Sequence, residues 1–298
     1  VRVGLWAAFG DGIAHVNDGD VERFDVPARC VARRGTAVFA GGSGVWRFDG
    51  DWHRTSFEGD VFSIAVASDG AVYVGTEPSA LYRSRDNGEM WEELDALQRI
   101  PSKPNWSFPP RPWTSHVRWI APNPHDAQLL LVGIELGGLM RSDDGGATFA
   151  DHAPGAQPDV HSLLWHPREP ERAYEAGGGG SAWSRDGGAT WERVDQGRDR
   201  HYTWATAVDP VDPDHWWVSA STGPYAAHGR GDPQARIYEW RGDAWSDVSG
   251  PLQAMPYAFA HIDGRLLAGL ADGSLLDVES GELRPLALGR LAALAGPI

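Results

Sequence analysis

The chain has 298 residues, and 41 acidic against 26 basic side chains leave a formal charge of −15, which excludes a surface built for nucleic acid or another polyanion. With 42% apolar and 22% charged residues it is not a disordered chain, and its longest aliphatic run, residues 129–132, is too short to span a bilayer. Cys30 is the single cysteine, which excludes an intrachain disulfide and a cysteine-ligated zinc site. The chain opens at Val1 with no basic-then-apolar leader, so the compartment stays open: cytoplasmic, or exported after processing.

In chain order the first elements are short apolar strands over 2–9, 12–16 and 21–26, closed by turn residues at Asn17–Asp20. A second unit ends in the hairpin Phe48-Asp49-Gly50-Asp51-Trp52. Strands over 61–70 and 71–75 then lead into Ser84-Arg85-Asp86-Asn87-Gly88-Glu89-Met90-Trp91. The same order returns with 116–126, 129–133 and Ser142-Asp143-Asp144-Gly145-Gly146-Ala147-Thr148-Phe149, then with 161–170, 173–177 and Ser184-Arg185-Asp186-Gly187-Gly188-Ala189-Thr190-Trp191. Degenerate hairpins follow at Trp240-Arg241-Gly242-Asp243-Ala244-Trp245 and Glu279-Ser280-Gly281-Glu282.

The octet Ser-x-Asp-x-Gly-x-x-aromatic has a physical reading as a tight turn. Ser and Asp side chains accept hydrogen bonds from the turn's own N–H groups, Gly supplies a positive φ, and the aromatic opens the next strand. The octets start 58 and then 42 residues apart, and the excess of 16 equals the length of residues 98–113, an insertion in a unit of about 42 residues. Seven such units account for the chain. A lone four-stranded sheet has two open edges and little core, so the units must stack radially. The expected fold is all-β, a seven-bladed β-propeller of four-stranded antiparallel blades forming one domain over 1–298. The first unit lacks an innermost strand and residues 290–295 form a spare one, so the tail is expected to close the ring in the first blade.

The octets resemble the Asp-box, or bacterial neuraminidase repeat, of sialidases, sortilin-type receptors and photosystem assembly factors. Much of the chain also resembles bacterial propellers labelled as glycosyl-hydrolase-like repeat proteins. The resemblance implies a propeller, and it spans enzymes, receptors and assembly factors alike. Arg99-Ile100-Pro101 matches a sialidase tripeptide but follows an octet rather than preceding the first. No three substrate arginines with a Tyr–Glu pair accompany it, so a typical sialidase is not implied.

Strand alternation assigns the loops to faces. The octets and the Pro/Asp-rich first turns share one face, where they read as turn architecture. The long loops share the other, here called the first face. It gathers Glu77 and Glu135, the insertion with Trp106, Arg111 and Trp113, the strand starts His116, Arg118, Asp159, His161, Arg200, His201, Tyr202 and Trp204, then Glu175, Tyr225, His228 and Tyr257. Aligning the innermost strands on Pro122, Pro167 and Pro210 puts His116, His161 and Trp204 at one height around the channel mouth.

Aromatic faces beside fixed polar groups are what a small-molecule or glycan site needs. Three functions fit. The first is a glycan-active hydrolase or lyase in which Glu135, His116, His161, Arg118 and Tyr202 carry acid–base chemistry, while Trp113, Trp106, Arg111, Asp159, Glu175, Arg200, His201, Trp204, Tyr225, His228, Glu77 and Tyr257 hold substrate. The second is a non-catalytic glycan- or peptide-binding or assembly propeller. The third is a metal-dependent hydrolase with a divalent cation among His116, His161, His201 and Glu135. No cofactor is required by the sequence, no nucleic-acid or membrane partner is expected, and the oligomeric state stays open.

Overall fold

The structure, a computed structural model, describes residues 4–10, 12–17, 20–108 and 114–296. Seven antiparallel sheets follow one another along the chain as the blades of a β-propeller. The innermost strands of blades two to seven are Ala28–Arg34, Val61–Val66, Val117–Pro122, Val160–Trp165, Tyr202–Val208 and Pro256–Ile262. Six blades have four strands; in blade four the outer strand is reduced to a bridge between Arg141 and Ala150. No helix among the described residues is long and apolar enough to cross a membrane.

Ring closure takes the expected form. Ala293–Ala295 pairs antiparallel with Leu5–Ala8, so the C-terminal strand becomes the innermost strand of the N-terminal blade. Leu291, fully buried, packs there with Leu5, Ala7 and Leu275. The core is divided into clusters lying between neighbouring blades, as radial packing of two-faced sheets requires.

The octets form the turns their chemistry suggests. Ser84 Oγ accepts from Gly88 N at 2.8 Å and donates to Asp86 Oδ1 at 2.8 Å, and Asp86 in turn accepts from Met90 N at 2.9 Å. Ser142/Asp144 and Ser184/Asp186 repeat the arrangement. The ring nitrogens of Trp91 and Trp191 close over the turns onto Gly88 and Gly188 carbonyls, both at 3.1 Å. Nearby, the first turns of blades four to six are each held by one acceptor. Asn123 Oδ1, His166 Nδ1 and Asp209 Oδ1 each receive the N–H groups two and three residues on.

That register corrects one alignment. Pro122 lies opposite Leu130, which pairs with the octet residue Ser142; in blade five the same station is held by Trp165, opposite Ala173 and Ser184. The equivalent prolines are therefore Pro124, Pro167 and Pro210, each following its turn acceptor. Arg118, not His116, stands level with His161 and Trp204. His116 is level with Asp159 and Tyr202.

Candidate functional site

A β-bulge recurs near the mouth end of the innermost strand in blades two to seven. The ladder skips Arg29, Phe62, Arg118, His161, the pair Trp204–Ala205, and Tyr257. A bulge leaves its extra residue unpaired and re-aims the side chain. Here the displaced side chains meet. The Arg29 guanidinium lies 4.4 Å from the Phe62 ring centre, Phe62 stacks on His116 at 4.2 Å, and Arg118 lies 4.5 Å over Trp204. Trp204 also meets His161 at 4.4 Å and Tyr257 at 5.5 Å, and Arg290 from the closing segment covers Tyr257 at 4.9 Å. Arg118 of blade four reaches Trp204 of blade six past blade five, which a contact around the axis allows and a contact at the rim does not.

Beneath this arc lies a buried polar cluster. His116 donates from Nε2 to Glu135 Oε2 at 2.7 Å, with Arg118 Nε 3.7 Å from the same oxygen. Glu77 Oε2 stands 3.5 Å from His116 Nδ1, and Thr114 donates to Glu77 Oε1 at 3.0 Å. Burial pushes the Glu135 carboxyl up, but the His116 hydrogen bond and the charges of Arg118, His161 and His116 outweigh it and hold it down at about 2. Glu135 is therefore a permanent carboxylate, suited to fixing charge or attacking and unsuited to donating a proton.

His161 is level with Arg118 and wholly buried. Its Nδ1–H donates to the Thr203 carbonyl at 2.6 Å, which turns Nε2 toward Asp159 Oδ2, 3.4 Å away. Ligand atoms of Glu135, Asp159 and His161 lie within 4.8 Å of one another.

On the far side a relay links three blade-six and blade-seven residues. Tyr257 donates to the Ala227 carbonyl at 2.8 Å and accepts from His228 Nδ1 at 2.8 Å, so His228 Nε2 accepts from the Tyr202 hydroxyl, also at 2.8 Å. Burial lowers the His228 ring to about 4 and pushes the Tyr202 hydroxyl well above its usual range, so both are neutral at pH 7.

The structure thus brings together Glu77, His116, Arg118, Glu135, Asp159, His161, Tyr202, Trp204, His228 and Tyr257. Several other sequence candidates go elsewhere. His201 is exposed, which removes it from the expected histidine set. Trp106 is a core residue: it is buried with Ile134 and Leu97 and donates to Ser102 Oγ at 3.0 Å, so the insertion reaches the mouth through Phe108, edge-on to His116 at 5.1 Å. Glu175 is fully buried within its strand and accepts from Gln157 N at 2.9 Å. Arg200 is occupied by Asp199 and the Gln234 carbonyl, and Tyr225 is 95% exposed. Arg111 and Trp113 lie outside the described residues. Sequence reasoning missed Arg29, Phe62 and Arg290; the first two hold the same bulge station as Arg118, which no proline marks in blades two and three.

No protein-family model and no curated protein matches the chain. Solved structures do. An ancestral GH74 enzyme superposes with a TM-score of 0.63 at 16% identity, over 95% of this chain and 39% of that one. The GH74 xyloglucanase from Xanthomonas campestris gives 0.59 at 18%, over 96% and 47%. YCF48 bound to D1 peptide gives 0.62 at 14%, over 90% and 88%. The chain spans less than half the length of these GH74 enzymes. At such identities the likeness establishes the seven-bladed propeller and nothing of the chemistry.

Proposed function

We propose that the chain is a binding propeller that takes a polar ligand, a glycan or a peptide, on its first-face mouth. The observation that carries this reading is the Arg118–Trp204 stack, partly exposed, with His161 in contact with both Trp204 and Asp159. It joins an apolar platform to a cation, with an anion one side chain away. YCF48, whose structure holds a peptide, is matched over most of both chains, which supports binding without chemistry. Screening glycan and peptide arrays tests the reading. The expected result is a retained ligand whose affinity falls at least about tenfold in Trp204→Ala. Failure to retain any ligand, or equal retention by Trp204→Ala, overturns it.

A second reading, a glycan-active hydrolase of the octet-repeat type, is favoured by the close approach of Glu135 and Asp159. Retaining glycosidases place their two carboxyl groups about 5–5.5 Å apart. Glu135, kept ionised, would be the nucleophile and Asp159 the acid. Turnover of chromogenic glycosides with retention, abolished by Asp159→Asn, is the expected result; a wild-type chain inert to the panel defeats it.

A further inference from the structure

We infer that Glu135, Asp159 and His161 form a binding site for one divalent transition cation of the zinc or manganese class. The inference goes beyond the ligand reading and does not depend on it.

The first ground is an unanswered atom. His161 Nε2 is buried without a hydrogen-bond partner, although two carboxylates stand close by. Because Nδ1–H is committed to the Thr203 carbonyl, Nε2 is the ring atom left to ligate a cation held between it and the carboxylates. An imidazole whose outer N–H is fixed by a backbone carbonyl is the usual preparation of a metal-ligating histidine.

The second ground is distance. Zinc bonds of about 2.0–2.1 Å to nitrogen and oxygen make the edge of a tetrahedron roughly 3.4 Å long. Asp159 Oδ2 and His161 Nε2 are 3.4 Å apart. Glu135, within 4.8 Å of both, closes the third side after a shift of about an ångström or through one water.

Charge is the third. Glu135 and Asp159 set two carboxylates within 4.8 Å of each other and of His161, with Arg118 3.7 Å from Glu135. A divalent cation adds positive charge between the two carboxylates. His116 supplies the outer support: its hydrogen bond orients Glu135, as ligating carboxylates require. One imidazole with two carboxylates suits zinc or manganese better than the oxygen-only cages of calcium.

The test uses the full chain, freed of metal by chelator and dialysed, titrated with Zn²⁺ and separately with Mn²⁺ in a calorimeter. One site per chain is expected, lost in both Asp159→Asn and His161→Gln, weakened about 10–100-fold in His116→Gln, and unchanged in the surface variant His53→Gln. Because His161 is buried, Asp159→Asn is the decisive variant, and a cobalt-loaded chain supplies a second readout through its visible tetrahedral bands. No stoichiometric site, or one that Asp159→Asn leaves intact, overturns the inference. Array retention by the chelator-treated chain separates this outcome from that of the ligand reading.

Discussion

Arg118 and His161 hold the same station in adjacent blades, each being the residue that a β-bulge displaces from the ladder at the mouth end of its innermost strand. A regular strand alternates its side chains between two faces, both committed here to packing against neighbouring blades. The bulge releases one residue per blade from that commitment. Repeated around the axis, it gathers side chains far apart in sequence into one mouth, while the turn octets stay on the opposite face and carry stability.

Glu135 links that mouth to pH. Its carboxyl is held at about 2 against an ordinary 4.5, so its contribution to stability is fully present above pH 4.5 and is lost as pH falls toward 2. Glu135→Gln should therefore lose on the order of 3 kcal/mol at pH 7, and the gap to wild type should close near pH 2–3. Urea unfolding across that range checks it; a gap that does not change with pH contradicts it.

Glu175 has the opposite sign. Burial raises its carboxyl to about 8, so the folded chain holds a proton that the unfolded chain releases above pH 4.5. Stability contributed at this position should fall as pH rises from 4.5 to 8. Glu175→Gln, which still offers Gln157 N an acceptor, should flatten that slope and be the more stable form at pH 8. Parallel wild-type and variant curves would remove the assignment.

The octet turns should affect folding alone. Ser184 is buried, accepts from Gly188 N at 2.9 Å and donates to Asp186 at 2.8 Å. Ser184→Ala should cost about 1–2 kcal/mol in a denaturant melt and leave ligand retention at the mouth unchanged. A loss of retention without a loss of stability would mean that the two faces have been exchanged.

Closure of the ring is tested at Leu291, which enters the seam between blades seven and one ahead of the closing strand. Leu291→Ala should destabilise by about 2–5 kcal/mol, measured as a shift in the unfolding midpoint. A shift within error would deny the seam its structural role.

The blade order, the octet turns and the closing strand were legible because each rests on local chemistry: alternation, a Ser/Asp/Gly turn, an unpaired strand at each end. The site was legible only in part. The sequence marks His116, Glu135, His161 and Trp204 as mouth residues, but anchoring blade four on Pro122 instead of Pro124 displaces Arg118 by two residues and hides its equivalence with His161. A bulge has no fixed residue signature, so Arg29 and Phe62 were passed over. Loop position alone puts Trp106 and His201 at the mouth. In the structure the first is drawn into the core between blades three and four by its apolar area, and the second is exposed just ahead of its strand. The contacts across the axis, such as Arg118 on Trp204, depend on the diameter of the ring, which no local pattern encodes.

A crystal structure of the chain with the ligand it retains most tightly tests the account most directly. Ligand density against the Trp204 ring, within hydrogen-bond reach of Arg118 or Asp159, is the predicted result. Density on the face of Ser84, Ser142 and Ser184, with the Arg118–Trp204 stack untouched, would contradict it.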